Sequence, residues 1–392
     1  MIKLVKSTFY NEEQTKKELN AFITSAKQLS FGSECEKFEK NFARWQGRNY
    51  AVFFNSGSSA NLALIQALLN LGRIKKGDAA AFSAVTWSTN VMPFLKLGLE
   101  AIPVDVEIQT LNVSSRTFLD CIKTHPVRVL FLTNLLGFCD DIDKIKKICE
   151  EKDILLLEDN CEALGTVYKG KKLGNFGIAS TFSFFVGHHM STIEGGMVST
   201  DDEILATMLR IVRAHGWDRQ LDEKDKDELA ARFGVSSPFY ARYTFYDLGY
   251  NLRPTEISGF LGNVQLRYIE EILKKRNANF IKFASAFYNK QDRYYPIRFS
   301  HIDFLSNFAF PLVAKSKEIK DDLVRRFEGK VEVRPIVGGD ITQQPFFRKH
   351  APHHASSFVG PGAKLIGEQG LYFCNNPELT EEEMAQILHV SA

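Results

Sequence analysis

The sequence is short of the features that would direct a chain to a membrane, to nucleic acid or to an oxidising compartment. No apolar run approaches membrane-spanning length. The opening residues, Met1-Ile2-Lys3-Leu4-Val5-Lys6, lack the long apolar core of a secretory leader. Neither sign of charge dominates: 49 basic side chains stand against 47 acidic ones, for a net charge of +2. That balance gives no reason to expect nucleic acid or an anionic membrane surface as a partner. The six cysteines, Cys35, Cys121, Cys139, Cys149, Cys161 and Cys374, are scattered with no close pair. Neither a zinc site nor a disulfide framework is indicated, and no metal is expected. No internal repeat or low-complexity segment stands out. The expectation is a cytoplasmic protein whose 392 residues suffice for a large core and two domains.

What is present is a long alternation of apolar strands with amphipathic helices. Residues 12–25 and 32–45 read as helices, the second with Phe38, Phe42 and Trp45 on one face. Strands follow at residues 50–54, 78–83, 100–106, 127–133, 154–157 and 179–185, with helices between most of them. Such alternation implies right-handed crossovers and a mainly parallel sheet in an α/β fold. A helix is expected over residues 201–213. A charged stretch, 221–232, and an aromatic-rich one, 239–250, come next. A charge run is usually a solvated face, whereas a long irregular connection is more often a lid or a partner-facing arm. Tyr250-Asn251-Leu252-Arg253-Pro254-Thr255-Glu256 then opens a long helix, with Pro254 expected in its first turn. Beyond it the pattern changes to strands near 308–313 and 331–335 and helices near 318–327 and 381–388. The division expected is a large α/β domain over residues 1–250 and a smaller α+β domain over 251–392.

Three stretches carry chemistry. After the strand at 50–54 comes Asn55-Ser56-Gly57-Ser58-Ser59-Ala60-Asn61 and an apolar helix. A small-residue turn at a helix start is a phosphate cradle by geometry, with Ser58 or Ser59 as the cap; most such turns only cap a helix. After the strand at 154–157 comes Glu158-Asp159-Asn160-Cys161-Glu162-Ala163. The apolar run at 179–185 delivers Ser183 and then His188-His189 to a turn at Gly187, closed by Gly195-Gly196. Carboxylates and histidines at adjacent strand ends are how an α/β enzyme builds a site. A paired histidine is most often surface or supporting structure, and metal ligation is conceivable. Adjacent histidines on an extended strand point to opposite faces, which disfavours one ion held by both. Trp87 reads by itself as ordinary core.

Together, Glu158-Asp159-Asn160-Cys161-Glu162-Ala163-Leu164-Gly165, Thr181-Phe182-Ser183-Phe184 and Glu194-Gly195-Gly196-Met197 resemble the fold type I, pyridoxal-phosphate-dependent family of sugar aminotransferases and dehydratases. The resemblance runs from about residue 28 to the end, with several separated motifs in the family's order. Its aminotransferases carry a lysine, covalently joined to the cofactor, where this sequence has His188; the replacement resembles the family's sugar 3-dehydratases. The resemblance implies an aspartate-aminotransferase-like fold with a seven-stranded, mainly parallel sheet and a smaller C-terminal α+β domain. It also implies pyridoxal or pyridoxamine phosphate held noncovalently. Gly57, Ser58 and Ser183 would face its phosphate, Trp87 its ring, Asp159 its ring nitrogen and Glu162 its phenolic oxygen. His188 would be the acid–base group.

The implied reaction has two halves. L-Glutamate donates its amino group to the cofactor; a nucleotide-linked 4-keto-6-deoxyhexose then loses its C3 hydroxyl. The products are a 4-keto-3,6-dideoxy sugar and ammonia, in deoxysugar biosynthesis for lipopolysaccharide O-antigen. A GDP-linked mannose derivative is favoured by overall likeness and by the missing cysteine group of a related iron–sulfur dehydratase acting on CDP-sugars. His215, Trp217 and Arg219 resemble a family segment near the substrate, and Arg334 is a candidate fork for a carboxylate or diphosphate. Asn251 and Arg253 match positions that reach the cofactor phosphate and substrate of a second subunit, implying a homodimer with shared sites. The alternatives are a nucleotide-sugar aminotransferase of the same family, a dehydratase of CDP- or dTDP-sugars, and a non-catalytic cofactor-binding regulator.

Overall fold

The structure is a computed structural model and describes residues 1–390. Seven strands form one sheet in the order Tyr50–Phe54, Gly196–Thr200, Ala179–Ser183, Leu155–Asp159, Val127–Thr133, Ala79–Ser83, Glu100–Val104. All pairings are parallel except those of Gly196–Thr200, which runs antiparallel to both its neighbours. The strands are buried on both faces, so they read as apolar runs rather than alternating patterns. Helix Gly57–Asn70 is apolar nearly all round and correspondingly buried, with Ala60, Asn61 and every residue from Ala63 through Leu68 inside. The expected mainly parallel, seven-stranded α/β architecture is therefore present. Its consequence is that Phe54, Ser83, Thr133, Asp159 and Ser183, the last residues of five strands running in one direction, gather at one edge of the sheet.

A second, antiparallel sheet has the order Tyr294–Tyr295, Ala309–Ala314, Gly370–Cys374, Val333–Pro335. Helices Ile269–Phe287 and Lys317–Phe327 pack on it through Phe280, Phe283, Phe287 and Phe327, which meet Phe310 and Phe373. This apolar cluster continues into one face of the large sheet. The chain start joins here too: Ile2 bridges Val331, and the Leu4 N–H donates to Glu332 Oε2 at 3.0 Å.

Several boundaries differ from the sequence expectation, each for a physical reason. The strand expected at 154–157 extends through Glu158 and Asp159, because partners inside the fold satisfy both carboxylates. The strand expected to carry the histidines ends at Ser183, and residues 186–190 form a turn followed by a bend. Gly195-Gly196 opens a strand rather than merely closing a loop, since Gly196 pairs with both Phe54 and Ser183. The helix cap in the small-residue turn is Ser56, whose hydroxyl accepts from the Ser59 N–H, so Ser58 and Ser59 lie inside the first turn. Pro254 precedes the cap Thr255 of helix Glu256–Leu266 instead of entering it. Strand Gly370–Cys374 is a short apolar run between Gly370 and Asn375-Asn376-Pro377, and the sequence reading does not include it.

Candidate active site

The strand ends surround a cleft of about 510 Å³, within the range of small-molecule sites. Gly57, Ser58, Trp87, Asp159, Glu162, Ser183, His188 and Arg334 all line it. His215, Arg219, Asn251 and Arg253 do not line it in this chain.

Glu158 and Asp159 are adjacent on a strand and so take opposite faces. Glu158 turns into the protein, where its two oxygens accept from the N–H groups of Gly174, Phe176 and Gly177 at 2.7 to 2.8 Å. It holds a loop. Asp159 turns to the cleft: Oδ2 accepts from the side-chain amides of Asn61 (3.1 Å) and Asn90 (2.8 Å), and Oδ1 from the Cys161 N–H (2.9 Å). The carboxylate is buried and, among the described residues, has no cationic side chain within ion-pair distance.

His188 is held by one hydrogen bond of consequence. Its Nδ1 lies 2.7 Å from the Cys161 carbonyl oxygen. A carbonyl only accepts, so Nδ1 carries the hydrogen and Nε2 presents its lone pair. The ring lies tilted against Phe308 at 5.2 Å between centroids. Burial pushes the imidazole down to about 4, with the Cys161 bond and Asp159 pulling weakly the other way. At neutral pH it is therefore a neutral base. His189 faces elsewhere: its Nε2 donates to the Ser306 carbonyl at 3.2 Å, and burial holds it well below the ordinary histidine value. The separation of the two rings follows from the turn and not from strand alternation.

Glu162 accepts from the Leu136 N–H at 3.0 Å through Oε2, and Leu136 adopts a left-handed backbone (φ 53°) to present that group. Burial raises the Glu162 carboxyl to about 7, with Asp159 adding to the effect. Trp87 is 58% exposed and stands on the cleft wall, so it is not the core residue its composition suggests. The Gly57 turn packs on Ser183 so closely that a Cβ at Gly57 would sit 2.7 Å from the Ser183 Cβ. A side chain at Gly196 would strike the Ser56 carbonyl at 2.2 Å. These two glycines let three segments converge where side chains could not. Arg334 is already engaged: its Nε and Nη2 both donate to Glu332 Oε1, at 3.1 and 2.7 Å.

The residues outside the cleft lie together. His215 is exposed with φ 64°, and the Arg219 guanidinium lies over the Trp217 ring at 5.2 Å. Asn251 accepts from Arg253 Nε at 3.0 Å. Bridges Ala214–Asn251 and Trp217–Phe245 pin the base of a projecting segment. On that segment Phe239, Tyr240, Tyr243, Phe245 and Leu248 are all largely exposed.

Sequence reasoning misses Asn61, Asn90, Arg276, Phe308 and Tyr372, as well as Leu4 and Val5 on the cleft rim. Asn61 closes the small-residue turn but drew no role there, and the others sit in none of the three stretches. Asn61 alone had a usable signal, since it is a polar residue on an otherwise apolar helix just past the turn.

The DegT/DnrJ/EryC1/StrS aminotransferase family matches residues 10–390. GDP-4-keto-6-deoxy-D-mannose 3-dehydratase of Yersinia pseudotuberculosis is 35% identical over 384 residues, 95% of either chain. The solved structure of the E. coli GDP-4-keto-6-deoxy-D-mannose-3-dehydratase with bound hydrated PLP superposes with a TM-score of 0.90 at 31% identity, covering 100% of this chain and 99% of that one. A structure of GDP-4-keto-6-deoxymannose-3-dehydratase with a trapped PLP-glutamate geminal diamine gives 0.89 at 30% identity, covering all of both chains. With a match over nearly its whole length and a fold in common with these enzymes, the chain belongs to the DegT/DnrJ/EryC1/StrS aminotransferase family.

Proposed function

We propose that this protein is a 3-dehydratase that uses pyridoxal and pyridoxamine phosphate. It removes the C3 hydroxyl of GDP-4-keto-6-deoxymannose with L-glutamate as amino donor, giving a 4-keto-3,6-dideoxy sugar and ammonia. The observation that carries this reading is His188, a neutral imidazole fixed through Nδ1 on the Cys161 carbonyl with Nε2 free. No lysine lines the same cleft.

The residues present fit an aromatic cation bearing a phosphate. Asp159 is a buried carboxylate without a counter-cation, suited to a protonated ring nitrogen. Trp87 offers an open indole face. The N–H groups of Gly57 and Ser58, in the first turn of the helix, have no intrahelical acceptor, and the Ser183 hydroxyl adjoins them. Glu162 stands beside Asp159, where a carboxyl raised to about 7 can donate to a phenolic oxygen as well as accept from it. The group itself supplies, when bound, an electron sink and a carrier for the amino group. The chain does the rest. His188 accepts a proton at Nε2, and the imidazolium so formed returns it to the departing C3 hydroxyl, which leaves as water. Asp159 lies on the same side of the protein as this ring and favours the imidazolium while it lasts.

We further infer a cytoplasmic homodimer. No helix among the described residues is long and apolar enough to cross a membrane. The exposed aromatic segment beside His215, Arg219, Asn251 and Arg253 has the character of a surface that another copy covers.

The test is incubation with glutamate and a panel of GDP-, CDP- and dTDP-linked 4-keto-6-deoxy sugars, with product masses recorded. Ammonia with a dideoxy product from the GDP-sugar is expected. An amino sugar would instead make the protein an aminotransferase, a preference for the CDP or dTDP series would move the substrate, and no turnover at all would favour a regulator.

A further inference from the structure

Two arginines are buried among the described residues, Arg213 at 1% and Arg276 at 4% exposed. They differ in their partners. Arg213 meets the Glu39 carboxylate and donates to the Phe53 carbonyl at 2.7 Å, so its charge is compensated. Arg276, on helix Ile269–Phe287, meets only backbone carbonyls. Nη1 donates to Phe308 (2.8 Å) and Asn375 (2.7 Å), Nη2 donates to His188 (3.3 Å), and Nε–H has no partner. Burial lowers this guanidinium only to about 10, so it remains a cation. A buried charge with no counter-ion is costly, and packing alone would be served better by an apolar side chain.

The three carbonyls explain the choice of residue. One belongs to the turn that carries the candidate base, one to the residue before strand Ala309–Ala314, and one to the residue after strand Gly370–Cys374. Arginine is the side chain that can reach all three with one rigid group. It also lines the active cleft.

We propose that Arg276 is a positioning residue for His188, which ties the turn that carries it to the ends of strands Ala309–Ala314 and Gly370–Cys374 through the His188, Phe308 and Asn375 carbonyls and sets an uncompensated positive charge beside its ring. This rests on the reading of His188 as the acid–base group. The other groups facing His188 are Asp159 and the Cys161 carbonyl from the Leu155–Asp159 strand end, Phe308 from the second sheet, and Phe185 and His189 from its own turn. Asp159 favours the imidazolium and Arg276 opposes it; Arg276 opposes protonation of His189 as well. Glu162, Glu194, Arg334 and Tyr372 line the same cleft.

The test is an NMR titration of the histidine rings in full-length protein dialysed free of cofactor, with the His188 signal assigned by its loss in His188→Asn. Wild type is compared with Arg276→Met, Arg276→Gln and Arg276→Lys. In both neutral variants the His188 midpoint should rise by roughly half to one pH unit, while Arg276→Lys stays within about 0.2 unit of wild type. The acid limb of kcat/KM in cofactor-loaded enzyme should move up by the same amount. An unchanged midpoint in the neutral variants, or neutral variants that fail to fold while Arg276→Lys folds, would make Arg276 a structural residue and overturn the proposal. A shifted midpoint in a protein whose His188→Asn variant still dehydrates sugar would uphold the role of Arg276 in setting the ring's charge and remove His188 from the chemistry.

Discussion

The cleft around His188 and the segment over residues 215–253 carry the same expectation, contact with cofactor or substrate, and are built in opposite ways. In the cleft each functional side chain sits at a strand end or in the turn that follows one and is fixed by a named partner: Asp159 by two asparagine amides, His188 by the Cys161 carbonyl, Glu162 by the Leu136 N–H. In the projecting segment the rings point outward, with Tyr243 75% exposed and stacked only on Trp217. The lining of the first region described above comes from elements of one chain. The second has the exposure of an interface and lacks an inner face to bind against. The sheet of this fold therefore fixes the groups of the cleft, while the outer segment stays exposed and is joined at its base by the bridges Ala214–Asn251 and Trp217–Phe245.

The strongest way to break this comparison is to remove the reacting group from the self-contained half. His188→Asn keeps shape and hydrogen bonding but cannot cycle a proton, so sugar dehydration should fall roughly a hundred- to ten-thousand-fold. Cofactor retention on dialysis should stay close to wild type, because Asp159, Trp87 and the Gly57 turn are untouched. His188→Lys should lose dehydration while retaining cofactor after borohydride treatment, which wild type should not do. Dehydration at near wild-type rate in His188→Asn would place the base elsewhere in the cleft.

The second prediction sharpens the other half. If Asn251 serves the site of a neighbouring copy, then His188→Asn and Asn251→Ala proteins should each be weak alone. After subunit exchange, half the dimers are mixed and each mixed dimer holds one intact composite site. Activity should then recover to roughly a quarter of wild type. Recovery no better than the average of the two parents, with mixed dimers verified by mass, would confine Asn251 to its own chain.

How much of this was legible follows the same division. The strands and their order of appearance could be read because buried parallel strands are continuous apolar runs. The cleft residues that lie in motifs could be read because the strand ends fix where a motif emerges. Strand Gly196–Thr200 could not be, since its direction depends on a pairing with Tyr50–Phe54 nearly 150 residues away. Glu158 and Asp159 look equivalent on paper, and only the pleat makes one a loop anchor and the other a wall of the cleft. Asn90 and Arg276 act on residues 69 and 88 positions distant, through contacts that no local pattern records. In the segment over 215–253 the charged and aromatic runs could be read, and His215, Trp217, Arg219, Asn251 and Arg253 only through the family resemblance, because none of them joins the cleft of its own chain.

The smallest expected effect distinguishes the two adjacent histidines. His189 is buried, donates to the Ser306 carbonyl and is held well below its ordinary pKa. In the unfolded chain it titrates near the reference value of about 6.5. Below that pH the unfolded state takes up a proton that the folded state refuses. The stabilising contribution is thus complete above about 6.5 and is lost as pH falls. His188, pushed down to about 4, behaves in the same way and adds a second proton. His189→Asn removes one of the two. Its unfolding free energy between pH 6 and 5 should therefore fall less steeply than that of wild type, by about 1 kcal/mol per pH unit. At pH 7 the variant should be less stable by about 1 kcal/mol through the altered bond to Ser306. Turnover should change little, since the ring faces Ser306 and not the cleft. Denaturant titrations at several pH values measure the slope, and initial rates measure the rest. An unchanged slope would mean that His189 is not buried as a neutral ring. A loss of turnover matching His188→Asn would mean that the chemistry belongs to the neighbour and that the motif is displaced by one residue.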